Sequence, residues 1–312
     1  MIEIKQYNVS TSTVWDEFVL SAKNGHFMFC RGYMDYHSDR FKDNSLMFFK
    51  EGQLVGLMPA NIVDDVLYSH QGLTFGGIIS DFSMTTPLMI SIFDHLIEYL
   101  KNLQIKKLIY KQIPYIYSKV PAQEDQYILH NKGASLFRVD VSSSIDLANK
   151  IDFSSRRRRG IKKAENSELK VIKSLDYQAF YQVLTEVLKA KHGTEPTHSL
   201  SEIELLVSRF PDNIQLYTTI DSDNQLLAAV LIFQMKNWAH AQYIVSSEKG
   251  REVGALDLLF GKLINNVYKD MKFFDFGIST ESQGKTLNYG LIIQKEEFGA
   301  RAIVHNFFEL NL

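Results

Sequence analysis

Residues 214–260 read IQLYTTIDSDNQLLAAVLIFQMKNWAHAQYIVSSEKGREVGALDLLF, and this stretch carries the strongest structural pattern in the chain. Its three apolar runs, at 214–220, 226–235 and 239–246, are separated by polar turn residues and predict an antiparallel meander of strands. An amphipathic pattern then predicts a long helix over 254–271. We expect a strand at 273–278, a helix at 289–297 and a last strand at 302–310.

The first half of the chain repeats this order of predicted elements. Two helices precede three meandering strands, and a helix, a strand, a helix and a strand follow. The pair Gly133-Ala134 corresponds to Gly299-Ala300 at an offset of 166 residues, which also lays residues 107–112 on 273–278. These matches predict an internal duplication. A chance likeness of two mixed domains is the alternative.

Each half therefore predicts a mixed, mostly antiparallel sheet flanked by helices, in an α/β (α+β) chain of two tandem domains. The expected domains are 1–150 and 174–312, with a basic connecting segment at 151–173. Neither a dinucleotide-binding fingerprint nor a P-loop occurs in the sequence.

Composition is that of an ordinary soluble protein, with 312 residues, 45% of them hydrophobic, and a net charge of −2. The single cysteine, Cys30, rules out an intrachain disulfide framework and fits a cytoplasmic protein. Because no apolar run has the length of a signal peptide or a spanning helix, we expect no membrane span. Residues 150–173 hold nine Lys or Arg against three acids, so a local charge of +6 is set against −8 elsewhere.

The loop at 246–256 (SSEKGREVGAL) lies between the third strand and the long helix of the second half. Gly250 and Gly254 allow backbone amides to approach a ligand, and Arg251 adds positive charge where a helix begins. These are the parts of a pyrophosphate site. The alternative is a plain turn with solvated charges.

This loop, in this element order, resembles that of the GNAT acyltransferase superfamily. The resemblance implies that Arg251, Gly254 and Ala255 bind the pyrophosphate of acyl-CoA, used as a co-substrate. The motif is incomplete, because its last position is neither Gly nor Ala here.

The two-domain order together with residues 157–164 (RRRGIKKA), 274–277 (FDFG) and 290–300 (GLIIQKEEFGA) resembles the Fem family, or FemABX-type peptidyltransferases. That resemblance implies an aminoacyl-tRNA donor and a peptidoglycan precursor as acceptor. The family's long helical arm for tRNA has no counterpart in the sequence, so tRNA is possible but acyl-CoA is favoured. Residues 68–77 (YSHQGLTFGG) also resemble Fem relatives, which makes His70 and Gln71 candidates for substrate binding.

Arg156, Arg159 and Lys163 share one face of the predicted helix in the basic segment. That face could meet the phosphates of a nucleotide- or lipid-linked acceptor, or of a tRNA end. The alternative is a solvated connector.

Two residues are candidates for catalysis. Asp275 is a carboxylate on a predicted buried strand and could act as a base or hold a loop. The GNAT resemblance implies that Tyr289 lies near the donor's leaving group, although it could simply follow a helix cap at Asn288. The six-residue spacing of His192 and His198 matches no metal signature, and we predict no metal.

The sequence thus predicts an N-acyltransferase that moves an acyl group from acyl-CoA to an amine of a cell-envelope or related small-molecule acceptor. Two alternatives stay open: an aminoacyl-tRNA-dependent enzyme of the Fem type, and an inactive GNAT-like binding module.

Overall fold

A computed structural model describes residues 1–312, apart from the side chains of Lys191 and His192. The chain divides into two compact units. Unit 1 comprises residues 1–141, 281–286 and 304–312, and unit 2 comprises residues 142–280 and 287–303.

Unit 1 holds a four-stranded antiparallel sheet of order β1-β2-β3-β6 and a second group of strands of order β4-β5-β7-β16. Within the second group, β5 and β7 are parallel, and β7 is antiparallel to the end of β16. Its elements are β1 (Ile2–Gln6), α1 (Ser12–Ser21), α2 (Arg31–Met34), β2 (Leu46–Lys50), β3 (Gln53–Met58), β4 (Asn61–Val63), β5 (Val66–Tyr68), β6 (Ile79–Ser80), α3 (Thr86–Asn102), β7 (Lys107–Lys111), α4 (Glu124–Asn131), the beginning of β8 (Ser135–Asp146) and the end of β16 (Arg301–Asn311).

Unit 2 holds strands of order β8-β13-β12-β11-β10-β9, in which only β12 and β13 pair in parallel. Its elements are α5 (Ser155–Asn166), β9 (Lys170–Ser174), α6 (Tyr177–His192), α7 (Leu200–Arg209), β10 (Ile214–Ile220), β11 (Leu226–Met235), β12 (Trp238–Ser246), α8 (Glu248–Val253), α9 (Ala255–Lys262), β13 (Phe273–Ile278) and α10 (Tyr289–Glu296). The short strands β14 (Thr280–Glu281) and β15 (Thr286–Leu287) lie at the division between the units.

The second apolar run of residues 214–260 becomes β11, whose residues Leu227 to Phe233 are all buried. A strand buried on both faces needs helices on both sides of the sheet. Helices α6 and α9 both pack against β11 and supply this cover. The expected fold class, tandem mixed α/β domains of the GNAT type, is confirmed.

The duplicated Gly-Ala pairs adopt the same local structure. Gly133 and Gly299 both have left-handed backbones, with φ of 78° and 86°. Each follows a helix and donates its N–H to a carbonyl three residues earlier, His130 or Glu296. The equivalent positions thus end a helix and start the last strand of their halves in the same way.

Three expectations differ from the structure. The long helix expected over 254–271 is α9, which ends at Lys262 and continues as a π-helical turn, Leu263–Val267. Residues 248–253, expected as loop, form α8 because Ser247 caps it by accepting from Gly250 N. The third of the meandering strands expected in the first half, near residues 67–73, stops at Tyr68, since His70 has a left-handed backbone with φ of 66°.

The compact units also differ from the expected domains. The first division falls between Val141 and Ser142 rather than after residue 150, and the basic segment lies within unit 2. Helix α5 belongs there because it packs along α9. Ser154 caps α5 as its position suggests, by accepting from Arg157 N.

Candidate functional site

Strands β12 and β13 of unit 2 diverge after a short parallel pairing. Residues Trp238–His240 face Phe273–Asp275, and no later described residue of β12 pairs with β13. A register shift between Asp275 and Ile278, next to a left-handed Gly277, bends β13 at this point. The divergence opens the sheet between helices α6 and α10.

An apolar cleft of about 240 Å³ occupies this opening. Most of the side chains around it are aliphatic or aromatic, with a few polar groups at one side. They are Val187, Leu188, Ile244, Val245, Ser246, Arg251, Leu256, Phe260, Phe276, Leu291, Gln294, Lys295 and Phe298. The cleft can therefore take the apolar part of a ligand between the two strands.

A basic cleft of about 360 Å³ shares Ser246, Arg251, Leu256 and Gln294 with the apolar cleft. It lies at the start of α9, against α5. Its lining is Arg156, Arg157, Gly160, Lys163, Ser246, Gly250, Arg251, Glu252, Gly254, Leu256, Asp257 and Gln294.

Four of the residues expected to meet an anion come together in the basic cleft: Arg156, Lys163, Arg251 and Gly254. Arg251 Nη1 donates to the carbonyl of Ser246 at 2.8 Å, which holds its guanidinium beside the start of the cleft. Two other candidates do not line it, since Arg159 is exposed elsewhere on α5 and Ala255 is buried.

Arg157 lies between the cleft-lining residues Arg156 and Lys163 of α5, but it forms ion pairs within the protein. Its guanidinium donates to Asp257 at 2.6 Å and, through two nitrogens, to Glu297 at 2.8 and 2.6 Å. Only 8% of the residue is exposed. Arg157 therefore fixes α5 to α9 and to the end of α10.

Asp257, which is held in this ion pair, also contacts α5 closely. A Cβ on Gly160 would lie 1.8 Å from Asp257 Oδ2, and one on Gly254 would lie 2.5 Å from Gly160 O. The two glycines and the carboxylate thus let α5 cross α9 in close contact. An anion in the basic cleft would be met mainly by side chains and by the first N–H groups of α9.

Asp275 is fully buried and hydrogen-bonded on both carboxylate oxygens. Oδ2 accepts from Gly277 N at 3.1 Å and lies 2.6 Å from Nδ1 of His240, and Oδ1 accepts from Ser142 Oγ at 2.8 Å. Sequence reasoning missed His240. Only the parallel pairing of β12 with β13 in the folded chain places residue 240 opposite residue 275.

Lys295 of α10 is a second residue that sequence reasoning missed. Its side chain lines the apolar cleft, and Nζ donates to the carbonyls of Gly277 and Ile278, at 2.8 Å each. Burial lowers the pKa of this lysine to about 8, against a smaller opposing effect of Asp275. Its position within the motif GLIIQKEEFGA was the available signal.

Tyr289 begins α10 and is 71% exposed, outside both clefts. Asn288 caps the helix by accepting from Leu291 N at 3.0 Å.

His70 and Gln71 lie in unit 1, on the loop that follows β5. Nζ of the half-buried Lys111 donates to the carbonyls of His70, Gln71 and Leu73 at 2.7 to 3.1 Å and so fixes the loop. His70 itself is 3% exposed and stacks on His37, with ring centroids 5.2 Å apart. Gln71 presents its side chain at the surface and bonds with Asn61.

Within the described part of the chain, no three His, Cys, Asp or Glu side chains are grouped as metal ligands would be. Of the two histidines weighed for a metal, His192 has a side chain outside the described residues, and His198 Nδ1 lies 2.6 Å from the Tyr243 hydroxyl. A search of the described helices finds none long and apolar enough to cross a membrane.

The comparisons with known proteins agree with this geometry. Residues 152–286 match the family model of the acetyltransferase (GNAT) domain. The sequence matches no curated protein.

Three solved structures share the fold over nearly the whole chain. FemX is 12% identical with a TM-score of 0.68, and the alignment covers 99% of this chain and 97% of FemX. L-PGS from Bacillus licheniformis is 12% identical with a TM-score of 0.65, covering 98% and 93%. A tandem GNAT protein from the clavulanic acid biosynthesis pathway is 11% identical with a TM-score of 0.55, covering 100% and 98%.

Residues 152–286 therefore match an acetyltransferase (GNAT) domain, in which the β12–β13 edge is open. The chain as a whole shares the fold of FemX and of the tandem GNAT protein.

Proposed function

We propose that the protein transfers an acyl group from acyl-CoA to an amine of a small-molecule, nucleotide-linked or lipid-linked acceptor. The observation that carries this proposal is the junction of an apolar cleft with a basic cleft at the start of α9. Coenzyme A has the matching polarity, because an uncharged pantetheine arm continues from a diphosphate.

The charges of the basic cleft suit a diphosphate. Arg156, Lys163 and Arg251 reach it from two elements, whereas Arg157 is occupied by Asp257 and Glu297. Cations and the unpaired N–H groups at a helix start both favour anions there. Glu252 and Asp257 also line the cleft, and Asp257 is neutralised by its ion pair with Arg157.

Acyl transfer requires mainly that the donor and the amine are correctly positioned and that the oxyanion is stabilised. The unpaired edge of β12 beyond His240 offers backbone N–H groups toward the opening, and Lys295 adds a cation at its border. On this proposal the acyl carbonyl lies at that edge and the phosphates lie against Arg251.

Calorimetry with coenzyme A and acetyl-CoA tests the donor. We expect binding by the wild-type protein, about tenfold weakening by Arg251→Ala and a smaller weakening by Lys163→Ala. The matched control is Arg159→Ala, an exposed arginine on the same helix outside the cleft, which leaves the affinity unchanged. No binding by the wild type, or equal binding by Arg251→Ala, overturns the acyl-CoA donor.

Aminoacyl-tRNA is the second candidate donor. Three exposed cations on α5 favour it, because Arg158, Arg159 and Lys162 lie outside the basic cleft and suit a larger polyanion. The fold similarity to FemX agrees with this alternative. Titration with charged and uncharged tRNA, repeated at rising salt, tests it, and Arg159→Ala should then weaken binding.

Gln71 is the residue we propose for acceptor binding in unit 1, on the loop that Lys111 holds. His70 would support that loop from beneath, because it is buried. Replacement Gln71→Ala is expected to raise KM for the acceptor and to leave the affinity for coenzyme A unchanged.

A further inference from the structure

His240 stands at the last position of β12 that pairs with β13, directly opposite Asp275. Its Nδ1 lies 2.6 Å from Asp275 Oδ2, and the carboxylate is 0% exposed. Ser142 Oγ and Gly277 N also donate to this carboxylate, at 2.8 and 3.1 Å. Asp275 is therefore held in one orientation by three groups.

This arrangement decides which nitrogen of His240 carries the proton. A buried carboxylate that accepts at Nδ1 favours the tautomer with hydrogen on Nδ1, so the lone pair resides on Nε2. The imidazole of His240 reaches the surface, because 15% of its side chain is exposed. Asp275, by contrast, has no surface with which to contact a ligand.

The pair lies where the strands separate. A Cβ on Gly277 would come within 3.3 Å of His240 Cε1, so the glycine keeps the space beside the ring free of a side chain. The carbonyls of Gly277 and Ile278 are bound by Lys295, which lines the apolar cleft. One bend of β13 therefore contacts both the His240–Asp275 pair and the cleft proposed for the donor.

We propose that His240 is the general base of the acyl transfer and that Asp275 is the residue that positions it. This inference rests on the proposed transfer to an amine. The amine nitrogen forms a bond to the acyl carbon while Nε2 takes its proton. The tetrahedral intermediate then collapses, the C–S bond breaks, and the proton on the imidazole goes to the departing thiolate of coenzyme A.

The charged groups beside the pair are Asp275 on β13 and Lys295 on α10. The carboxylate stabilises the imidazolium formed when the amine loses its proton. The Lys295 ammonium is bound to the carbonyls of Gly277 and Ile278.

Release of coenzyme A from acetyl-CoA provides the assay, with water alone and with spermidine, glucosamine and lysine as probe amines. His240→Gln should lower kcat/KM on the order of 10² to 10⁴-fold, the range typical of a lost general base. The affinity for acetyl-CoA, measured by calorimetry, should stay within twofold. The matched control is His130→Gln, an exposed histidine of α4 in unit 1, which should leave both values unchanged.

Two readouts separate catalysis and positioning from a purely structural role. The acid limb of the pH profile of kcat/KM should disappear in His240→Gln. Nitrogen NMR of labelled histidine should find hydrogen on Nδ1 in the wild type and a mixture of tautomers in Asp275→Asn, with a rate loss no larger than that of His240→Gln.

The possible failures are distinct. Absence of acetyl-CoA binding by the wild type overturns the proposed donor. Binding without release of coenzyme A by the wild type overturns the proposed acyl transfer, whereas wild-type rates in His240→Gln overturn only the role of His240. Hydrogen on Nε2 in the wild type also overturns it.

Discussion

Arg157 of α5 donates a 2.6 Å hydrogen bond to Asp257 in the first turn of α9, and this contact joins the basic segment to the helix that borders both clefts. The same guanidinium binds Glu297 after α10. The most basic stretch of the sequence therefore contains one arginine committed to structure, and that arginine holds its neighbours at the rim of the basic cleft.

Replacement Arg157→Ala should destabilise unit 2 by about 3 kcal/mol, because it leaves two largely buried carboxylates without a partner. The side chains of Asp257 and Glu297 are 14% and 19% exposed. Urea unfolding measures the loss. Arg159→Ala, on the same helix, should change the free energy of unfolding by less than about 0.5 kcal/mol. Equal effects of the two replacements would contradict the role given to Arg157.

The two equivalent glycines offer a matched pair. In Gly133→Ala the new Cβ would have no atom within 4 Å. Only the left-handed backbone opposes this replacement, which should lower the free energy of unfolding by about 1 kcal/mol. In Gly299→Ala the new Cβ would lie 2.2 Å from Ile151 O, and the loss should reach about 3 kcal/mol. Thermal unfolding of both variants checks the order, and a larger loss for Gly133→Ala would contradict it.

His70 should make the protein sensitive to acid. Burial, aided by His37, Lys111 and Arg31, lowers the pKa of His70 to about 3 from 6.5. The unfolded chain therefore binds more protons between pH 6.5 and 3, so stability falls as the pH drops below 6.5, by up to about 1.4 kcal/mol per pH unit. The variant His70→Asn, whose side chain tolerates the left-handed backbone, should flatten that slope in urea titrations. An unchanged slope would speak against a neutral His70.

Lys295 should make the stability of the protein depend on pH in the alkaline range. Replacement Lys295→Met leaves two carbonyls without their donor and should cost about 2 kcal/mol at pH 7. Burial lowers the pKa of Lys295 to about 8 from 10.5, so the unfolded chain binds more protons between these values and the wild type gains stability from this group as the pH rises. The difference between wild type and variant should widen from pH 8 to pH 10. A difference that narrows would contradict the assignment.

Several parts of the site were accessible from sequence because they depend on neighbours along the chain. Arg251 and Gly254 precede a helix start, and Arg156 and Lys163 lie two turns apart on one helix. Helical spacing and turn chemistry are local rules, so four of the predicted anion-binding residues do line one cleft. The same rules could not separate Arg157 from its neighbours, since its partners are 100 and 140 residues away.

By itself the sequence determined the order of the elements, the two equivalent Gly-Ala helix ends and the uneven charge, because each depends on short-range periodicity or composition. Only the tertiary structure decided that His240 faces Asp275, that Lys295 borders the cleft and that α5 lies against α9. The register of the parallel pair β12–β13 brings together residues 35 positions apart. Packing of helices on both faces of the sheet fixes that register, and no local pattern in the chain encodes it.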